Sequence, residues 1–386
     1  MARFQSVKGK ALAFLLFIWV LWFLNFMSRT ILAPVLPLIE DEFGVTHARA
    51  TSIFLFLGLG YGLSVFFSGV YAKALGPRRS VCASLLTLGL ALLAISQVRI
   101  FDLFYVVGFV LGLATGMYLP AVIPLLTEYY DQAHWGKVIA IHDSASSLSL
   151  FATPFIALFA LLFLPWRGMF ILIATAYFLC AVIFWCVSEE AKVGAKTTYF
   201  HGHLLKRGDF WLFGIPWIFM AGATMGLYFV VPLYLSKELS LGMEHANTIF
   251  GISRIGGAVV GILTGFLVDR FRAKRIIFSL VLITGIFTAL VAVNDIRWIK
   301  IFLFLQATTV AGFFPISLVS VSRMFETEVR GQAVGFIVTL GVIGMALIPY
   351  FLGLSGDLVS FRLGFLLLGI CTALSSGLLY FVKELR

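Results

Sequence analysis

The sequence predicts an all-α membrane protein of twelve transmembrane helices in two parallel-repeat six-helix bundles, and three observations carry that prediction. Of 386 residues, 61% are hydrophobic and only 12% charged, against about 25% charged in ordinary soluble domains. Twelve apolar runs of membrane-crossing length follow one another with short polar breaks. The second half of the chain repeats landmarks of the first at a near-constant offset. A surface this poor in charge and carrying 40 Phe cannot stay dissolved in water, so lipid is the expected solvent.

A helix needs roughly 20 mainly apolar residues to cross a ~30 Å hydrocarbon layer. The runs fall near 11–38, 47–72, 80–98, 102–127, 136–163, 166–187, 209–236, 243–268, 274–293, 297–322, 331–354 and 361–382. Continuous runs of this length exclude a transmembrane β-barrel, whose strands alternate apolar and polar residues. The basic start MARFQSVKGK precedes an apolar run that is too long for a secretory signal and lacks a small-x-small cleavage site, so it reads as a retained first span.

The net charge of +10 follows from membrane orientation and calls for no nucleic acid. With the N-terminus inside, nineteen of the 28 Lys and Arg fall in cytoplasmic segments and seven outside, while Arg29 and Arg254 remain within spans. Inside loops hold the excess of Lys and Arg, which places both termini in the cytoplasm. Cys82, Cys180, Cys186 and Cys371 sit in apolar runs without metal-binding or disulfide spacing. Neither a metal nor a cofactor is expected.

Sliding the chain by 195 positions pairs Pro37 with Pro232, Pro120 with Pro315, Gly136 with Gly331, Pro154 with Pro349 and Arg167 with Arg362; at 196, Gly69 pairs with Gly265. Six spans separate equivalent points, so the halves share one orientation and are related about an axis along the membrane normal. The expected organisation is an N-terminal bundle at 1–188, a polar cytoplasmic linker at 189–207 (EEAKVGAKTTYFHGHLLKR) and a C-terminal bundle at 208–386. The repeated prolines are expected to bend helices.

Within spans, ionisable groups are scarce and therefore informative, because each is costly in a bilayer and usually faces a cavity or a partner. Asp143 is the one acid well inside a span and His142 the one histidine, both in IAIHDSASSLS of the fifth run. Either could titrate near physiological pH and carry a coupled proton; the alternative is a structural polar patch. Arg29 and Arg254 offer permanently charged forks of donors suited to carboxylate or phosphate, one per half, aimed at a cavity between the halves. With one mid-span acid for two mid-span Arg, at least one guanidinium lacks an obvious internal partner. Asn25, one turn before Arg29, shares its face. Tyr61 and Tyr228 are candidates to line a cavity.

Linker, duplication and span count together resemble the major facilitator superfamily along the whole chain. GFLVDRFRAKR, Gly265 to Arg275, is similar to that superfamily's loop signature after the eighth span, with Asp269 and Arg270 at its acidic and basic positions. Its N-terminal counterpart GVYAKALGPRR keeps Gly69, Gly76, Arg78 and Arg79 but has Lys73 where the usual Asp stands. The resemblance implies gating or structural roles for Gly69, Arg78, Arg79, Gly265, Asp269 and Arg270. LNFMSRTILAPVLPLIEDEFGV, Leu24 to Val45, resembles the first-span signature of the anion:cation symporter group, in which the Arg at the place of Arg29 contacts the substrate. That group often has Asp where Ser28 stands, and a fourth-span Glu where only Thr115 and Gly116 are found, so coupling would fall to Asp143. ISRIGGAVVGILTGFLVDR, Ile252 to Arg270, resembles the eighth span of monocarboxylate and oxalate:formate carriers, whose Arg at the place of Arg254 holds a carboxylate.

The resemblance implies a secondary transporter of a small organic anion, coupled to protons by symport and working by alternating access, as a monomer in a bacterial inner membrane. A proton-coupled exporter of lipophilic compounds is the competing transport reading; of the exporters' fifth-span glycine-rich motif, SLFATPF keeps only Pro154. No Walker loop, HExxH or GxSxG stands in the chain, so neither nucleotide-driven pumping nor a hydrolytic enzyme is expected.

Overall fold

The computed structural model describes Phe4 and residues 6–190, 206–257, 259–260, 273–325 and 330–382. Among these, eleven helices are long and apolar enough to cross a membrane. The twelfth expected span, 243–268, is described as a helix over Met243–Ser253, and most of its remainder lies outside the described residues. In chain order the helices are α1 (Lys10–Thr30), α2 (Leu32–Phe43), α3 (His47–Thr51), α4 (Ile53–Phe66), α5 (Ser68–Gln97), α6 (Leu103–Tyr129), α7 (Trp135–Leu161) and α8 (Trp166–Val187). There follow α9 (Gly208–Ala221), α10 (Leu227–Lys237), α11 (Met243–Ser253), α12 (Ala273–Leu290), α13 (Ile296–Met324), α14 (Arg330–Leu358), α15 (Phe361–Ser375) and α16 (Leu378–Phe381). The only pairing of strand type among the described residues is an isolated bridge, Phe4 to Tyr130, as expected where backbone groups must be satisfied within each helix.

Packing groups residues 1–32 with 56–197, and 33–55 with 198–386. Within the first unit α1 packs on α7, and α5 on α6 and α8; within the second α9 packs on α14, and α12 on α13 and α15. These are the same pairings of first with fifth and third with fourth and sixth spans, so each unit repeats one packing plan. The expected prolines lie inside helices: Pro120 in α6, Pro154 in α7, Pro315 in α13 and Pro349 in α14.

Two local breaks follow from residue type. In α5 the backbone at Gly76 leaves the helix, with φ 75° and ψ 164°, immediately before Pro77; only glycine adopts that φ without strain. In the seventh span a π turn, Gly222–Gly226, joins α9 to α10. It is seated where Gly222 and Gly226 meet Ile348 of α14, with no room for a side chain. Small residues also set the closest approaches: a Cβ on Gly112 would lie 2.0 Å from the Leu57 carbonyl oxygen, and one on Gly285 would lie 2.4 Å from the Ala373 nitrogen. In lipid, where burial of apolar surface drives little association, such backbone contact is a main source of helix affinity.

The segment 33–55, from the end of the first expected span into the start of the second, packs with the C-terminal helices. Asp357 of α14 accepts hydrogen bonds from the His47 and Ala48 nitrogens, each 2.8 Å, at the start of α3. His47 Nδ1 lies 2.8 Å from Glu40 Oε2, Lys237 pairs with Asp41, and Phe54 stacks on Phe229 at 4.0 Å. A helix start carries unpaired N–H groups that attract a carboxylate, and local sequence spacing gives no sign of a partner 310 residues away.

Candidate functional site

In the first unit, Trp22, Asn25, Phe26 and Arg29 stand three, four and seven residues apart and so share one face of α1. Arg29 is 5% exposed. Its guanidinium carbon lies over the Phe26 ring at 3.8 Å, 5.1 Å from the Tyr61 ring centre and 6.0 Å from that of Trp22. Nε of Arg29 has no hydrogen-bond partner, and no ion pair joins Arg29 to a carboxylate among the described residues. Asn25 is fully buried; its Nδ2 donates to the Thr115 carbonyl at 3.3 Å, which leaves Oδ1 as an acceptor without a partner. Arg29 and Asn25, expected on one face, are there, and Tyr61 is brought beside them.

His142 and Asp143 are adjacent in sequence but face different ways, since successive helical residues are about 100° apart. His142 is 1% exposed and lies nearly parallel to Trp22 at 5.3 Å and to Tyr118 at 6.1 Å, with Nε2 unpartnered. Trp22 stacks on Tyr118 at 5.4 Å, and the Tyr118 hydroxyl donates to the Ile18 carbonyl. Asp143 is exposed on α7 and approaches the Trp22 indole, without a hydrogen bond of good geometry. Asp143 lies well inside α7, as expected from its place in the run, with its carboxylate open at that point of the helix. Among the described residues the buried acid is Glu40, tied to His47 and Lys237 at the far end of α2. α7 buries His142 and Ala145, while Asp143 and Ser144 are more open and stand toward α1, where Ser144 accepts from Trp19 Nε1 at 3.0 Å. Trp22 touches His142 and Tyr118 and lies beside both Arg29 and Asp143, a junction that sequence reading missed. Its signal was the seven-residue spacing to Arg29.

The second unit holds a simpler arrangement. Arg254, 6% exposed, follows α11 with its guanidinium carbon 5.1 Å from the Tyr228 ring centre and 5.0 Å from that of Phe250. Those two rings meet edge to face at 4.6 Å and are 1% and 0% exposed. Both Nε and Nη2 of Arg254 lack hydrogen-bond partners. Asn247, two turns earlier on the same face, donates from Nδ2 to the Pro34 carbonyl at 3.2 Å and keeps Oδ1 unpartnered. A cleft of about 310 Å³ lined by Glu244, His245, Thr248 and Lys300, among others, lies on the other arc of α11; at about 100° per residue, Arg254 is some 200° from its lining residue Ile252.

Of the expected gating residues, Gly69 lies in the first turn of α5, and Arg79 is exposed. Arg78 donates through Nε to Ser188 Oγ at 3.2 Å and through Nη2 to the Trp185 carbonyl at 2.5 Å, with its guanidinium over the Trp185 ring at 4.0 Å. Its backbone nitrogen donates to Glu190 Oε1 at 3.3 Å. Arg78 thus ties the break at Gly76 to the end of α8. Gly265, Asp269 and Arg270 lie outside the described residues. Among the described residues no group of three or more His, Cys, Asp or Glu could hold a metal ion.

Each of these desolvated guanidinium groups, walled by aromatic rings and unpaired with any carboxylate among the described residues, can receive an anion, and comparison with known proteins agrees with a transport role. The chain is 22% identical over 334 residues to the hexuronate transporter of Bacillus subtilis, covering 81% of this chain and 76% of that one. It is 23% identical over 373 residues to the cis,cis-muconate transport protein of Acinetobacter baylyi, covering 90% and 88%. The solved D-xylose-proton symporter superposes with a TM-score of 0.83 at 13% identity, over 98% of this chain and 99% of that one, which shows a shared fold. The model of the Major Facilitator Superfamily matches residues 18–292 and again 218–386. The chain is a multi-pass membrane transporter, not an enzyme, and it belongs to the Major Facilitator Superfamily.

Proposed function

We propose that this protein is a secondary transporter of a small organic anion bearing a carboxylate, with Arg29 and Arg254 as its anion-binding groups. The observation that carries the reading is the pair of nearly buried guanidinium groups with unpartnered donors and no carboxylate among the described residues. An Arg, Lys or Asp at the centre of a spanning helix costs about 2.5–3.5 kcal/mol on insertion scales. Aromatic faces return about 2 kcal/mol or more to a desolvated cation. The remainder is recovered when an anion arrives, and a charge-assisted, bidentate contact is the strongest single hydrogen-bonding arrangement open to Arg. Relatives named for hexuronate and muconate, both organic acids, support this class.

Coupling to protons rests on His142 and Asp143. Both lie against Trp22, the ring that also neighbours Arg29, so a change of charge at either would be felt at the anion site. His142 is the stronger carrier on packing grounds, because its Nε2 is buried without a partner. Symport would occur by alternating access in an inner membrane, both termini in the cytoplasm as the distribution of Lys and Arg favours, by a monomer.

The test is thermal unfolding of the purified full chain with mono- and dicarboxylates, phosphorylated metabolites and lipophilic cations, because a ligand that binds only the folded state raises the midpoint. Carboxylates are expected to stabilise the wild type and to have no effect on Arg29→Ala or Arg254→Ala. Stabilisation by lipophilic cations alone, equal in all three proteins, would replace this reading with export of lipophilic compounds.

A further inference from the structure

We propose that the cleft on the arc of α11 away from Arg254 is a phospholipid site, which takes the ethanolamine phosphate of a zwitterionic headgroup between Glu244 and Lys300. The cleft has a volume of about 310 Å³ and lies between the starts of α11 and α13. Glu244, His245 and Thr248 line it from α11 and Lys300 from α13, while Ile252 and Phe304 line its apolar end. Both helices begin where expected spans begin, near 243 and 297, so the charged end stands at headgroup depth. Ile252 lies about 12 Å further along α11 than Glu244, at 1.5 Å per residue, and so reaches the hydrocarbon.

Two observations set this cleft apart from an ordinary solvated helix end. The first is that the side chains of Glu244, His245 and Lys300 are exposed and make no hydrogen bond or ion pair with any other described residue. A carboxylate and an ammonium that share one cleft and stay apart leave room for a guest bearing both charges, and each gains a charge-assisted bond when it arrives. The second is an apolar track that leads away from the charged end. Ile252, Ile255 and Val259 are exposed at spacings of four and three, those of one helix face, and Phe304 is exposed one turn beyond Lys300. A Cβ on Gly256 would stand 1.9 Å from Thr308 Oγ1 and 3.0 Å from the Phe304 ring, so the two helices meet along this line. A soluble guest has no use for such a track, whereas an acyl chain lies along it.

Headgroup chemistry narrows the occupant. A primary ammonium has three hydrogen bonds to give, as a Lys side chain does, and the Glu244 carboxylate accepts them; a trimethylated ammonium has none. The phosphate accepts from Lys300 and from Thr248. An anionic headgroup without an amine would set its charge beside Glu244, and that repulsion selects against it. Basic pockets between spanning helices bind anionic headgroups; the acid at Glu244 turns this one toward a headgroup that carries an amine as well.

The test uses the full-length protein, purified in detergent and washed free of lipid. Phosphatidylethanolamine, phosphatidylcholine and phosphatidylglycerol with the same dioleoyl chains are added in mixed micelles, and O-phosphoethanolamine serves as the headgroup alone. Retention is counted by native mass spectrometry and stabilisation is read from the unfolding midpoint. Phosphatidylethanolamine is expected to bind about tenfold more tightly than the other two lipids, and the free headgroup to leave the midpoint unmoved. In Glu244→Gln the preference over phosphatidylcholine should fall to within about twofold, and in Lys300→Gln both lipids should weaken by about tenfold. Arg254→Ala should retain lipid as the wild type does, which separates this site from the anion site. Equal retention of the three lipids by the wild type, or a preference that persists in Glu244→Gln, overturns the proposal. Stabilisation by O-phosphoethanolamine equal to that by the lipid would give the cleft to a soluble zwitterion and overturn it too. The lipid comparison needs only the wild-type chain, so a variant that fails to fold leaves the test in place.

Discussion

Arg29 and Arg254 occupy units with the same packing plan, and their guanidinium carbons stand at the same 5.1 Å from a tyrosine ring, yet their surroundings differ in what can change charge. Arg29 shares Trp22 with His142 and Asp143, and its ring neighbours Phe26 and Tyr61 are half-buried. Arg254 is closed in by Tyr228 and Phe250, both fully buried, and Tyr228 is its one titratable neighbour among the described residues. The two cations do not coincide at the repeat offset, Arg29 standing on the first span and Arg254 on the eighth, so each unit carries its guanidinium at a place of its own. Anion binding needs charge in place, whereas coupling needs a group whose charge varies; on the proposed reading the described groups that suit the second demand stand beside Arg29.

The largest effect that would break this comparison is loss of either cation. Arg29→Ala and Arg254→Ala should each lower affinity for the transported anion by about 100-fold, within the 2–5 kcal/mol typical of truncating a buried charged partner. Lys at either place should recover little, since it lacks the planar fork. Binding isotherms of the variants check this; retention of affinity by Arg254→Ala would confine the anion site to the first unit. Next in size is the support behind each Arg. A Cβ on Gly112 would stand 2.0 Å from the Leu57 oxygen and 2.8 Å from the Tyr61 nitrogen, both backbone, whereas one on Gly256 would meet chiefly the Thr308 side chain, which can turn away. Gly112→Ala should cost about 1–3 kcal/mol in unfolding free energy and weaken binding, and Gly256→Ala less than about 1 kcal/mol.

A third outcome runs against intuition. Removing a buried, unpaired charge relieves its desolvation, so Arg29→Met and Arg254→Met should raise the unfolding free energy of the ligand-free protein by about 1–2 kcal/mol while abolishing anion stabilisation. Arg254→Met should gain more, because two of its nitrogens lack partners against one in Arg29. The smallest effect separates coupling from binding. One coupled proton raises uphill accumulation about tenfold per pH unit of gradient. His142→Gln and Asp143→Asn should diminish that gain in vesicle uptake with counterflow exchange intact. Unchanged coupling in both would remove the contrast between the units.

Much of this was legible in the residues. Apolar runs show spans directly because backbone groups in lipid leave few options besides a helix, and the mid-span Arg residues stood out because charge there is rare. Repeat spacing at Pro120 and Pro315, or Pro154 and Pro349, exposed the duplication since prolines leave a positional mark that apolar residues do not. Position along a helix states depth and not direction, so the openness of Asp143 on α7 and the burial of Glu40 near a span end were not legible. Trp22 was passed over because aromatics are abundant here and only contact distinguishes one.

The sequence by itself determined the helical class, the number of apolar runs, the duplication and the two guanidinium groups in lipid, all of which depend on local composition and spacing. Contacts in the folded chain settled that residues 33–55 pack with the C-terminal helices, that Asp357 caps α3 and that Trp22 joins Arg29 to His142. Those are matters of helix rotation and of contact between residues distant in the chain. Helix rotation is fixed by close packing such as that of Gly112 on Leu57, which a one-dimensional pattern does not encode.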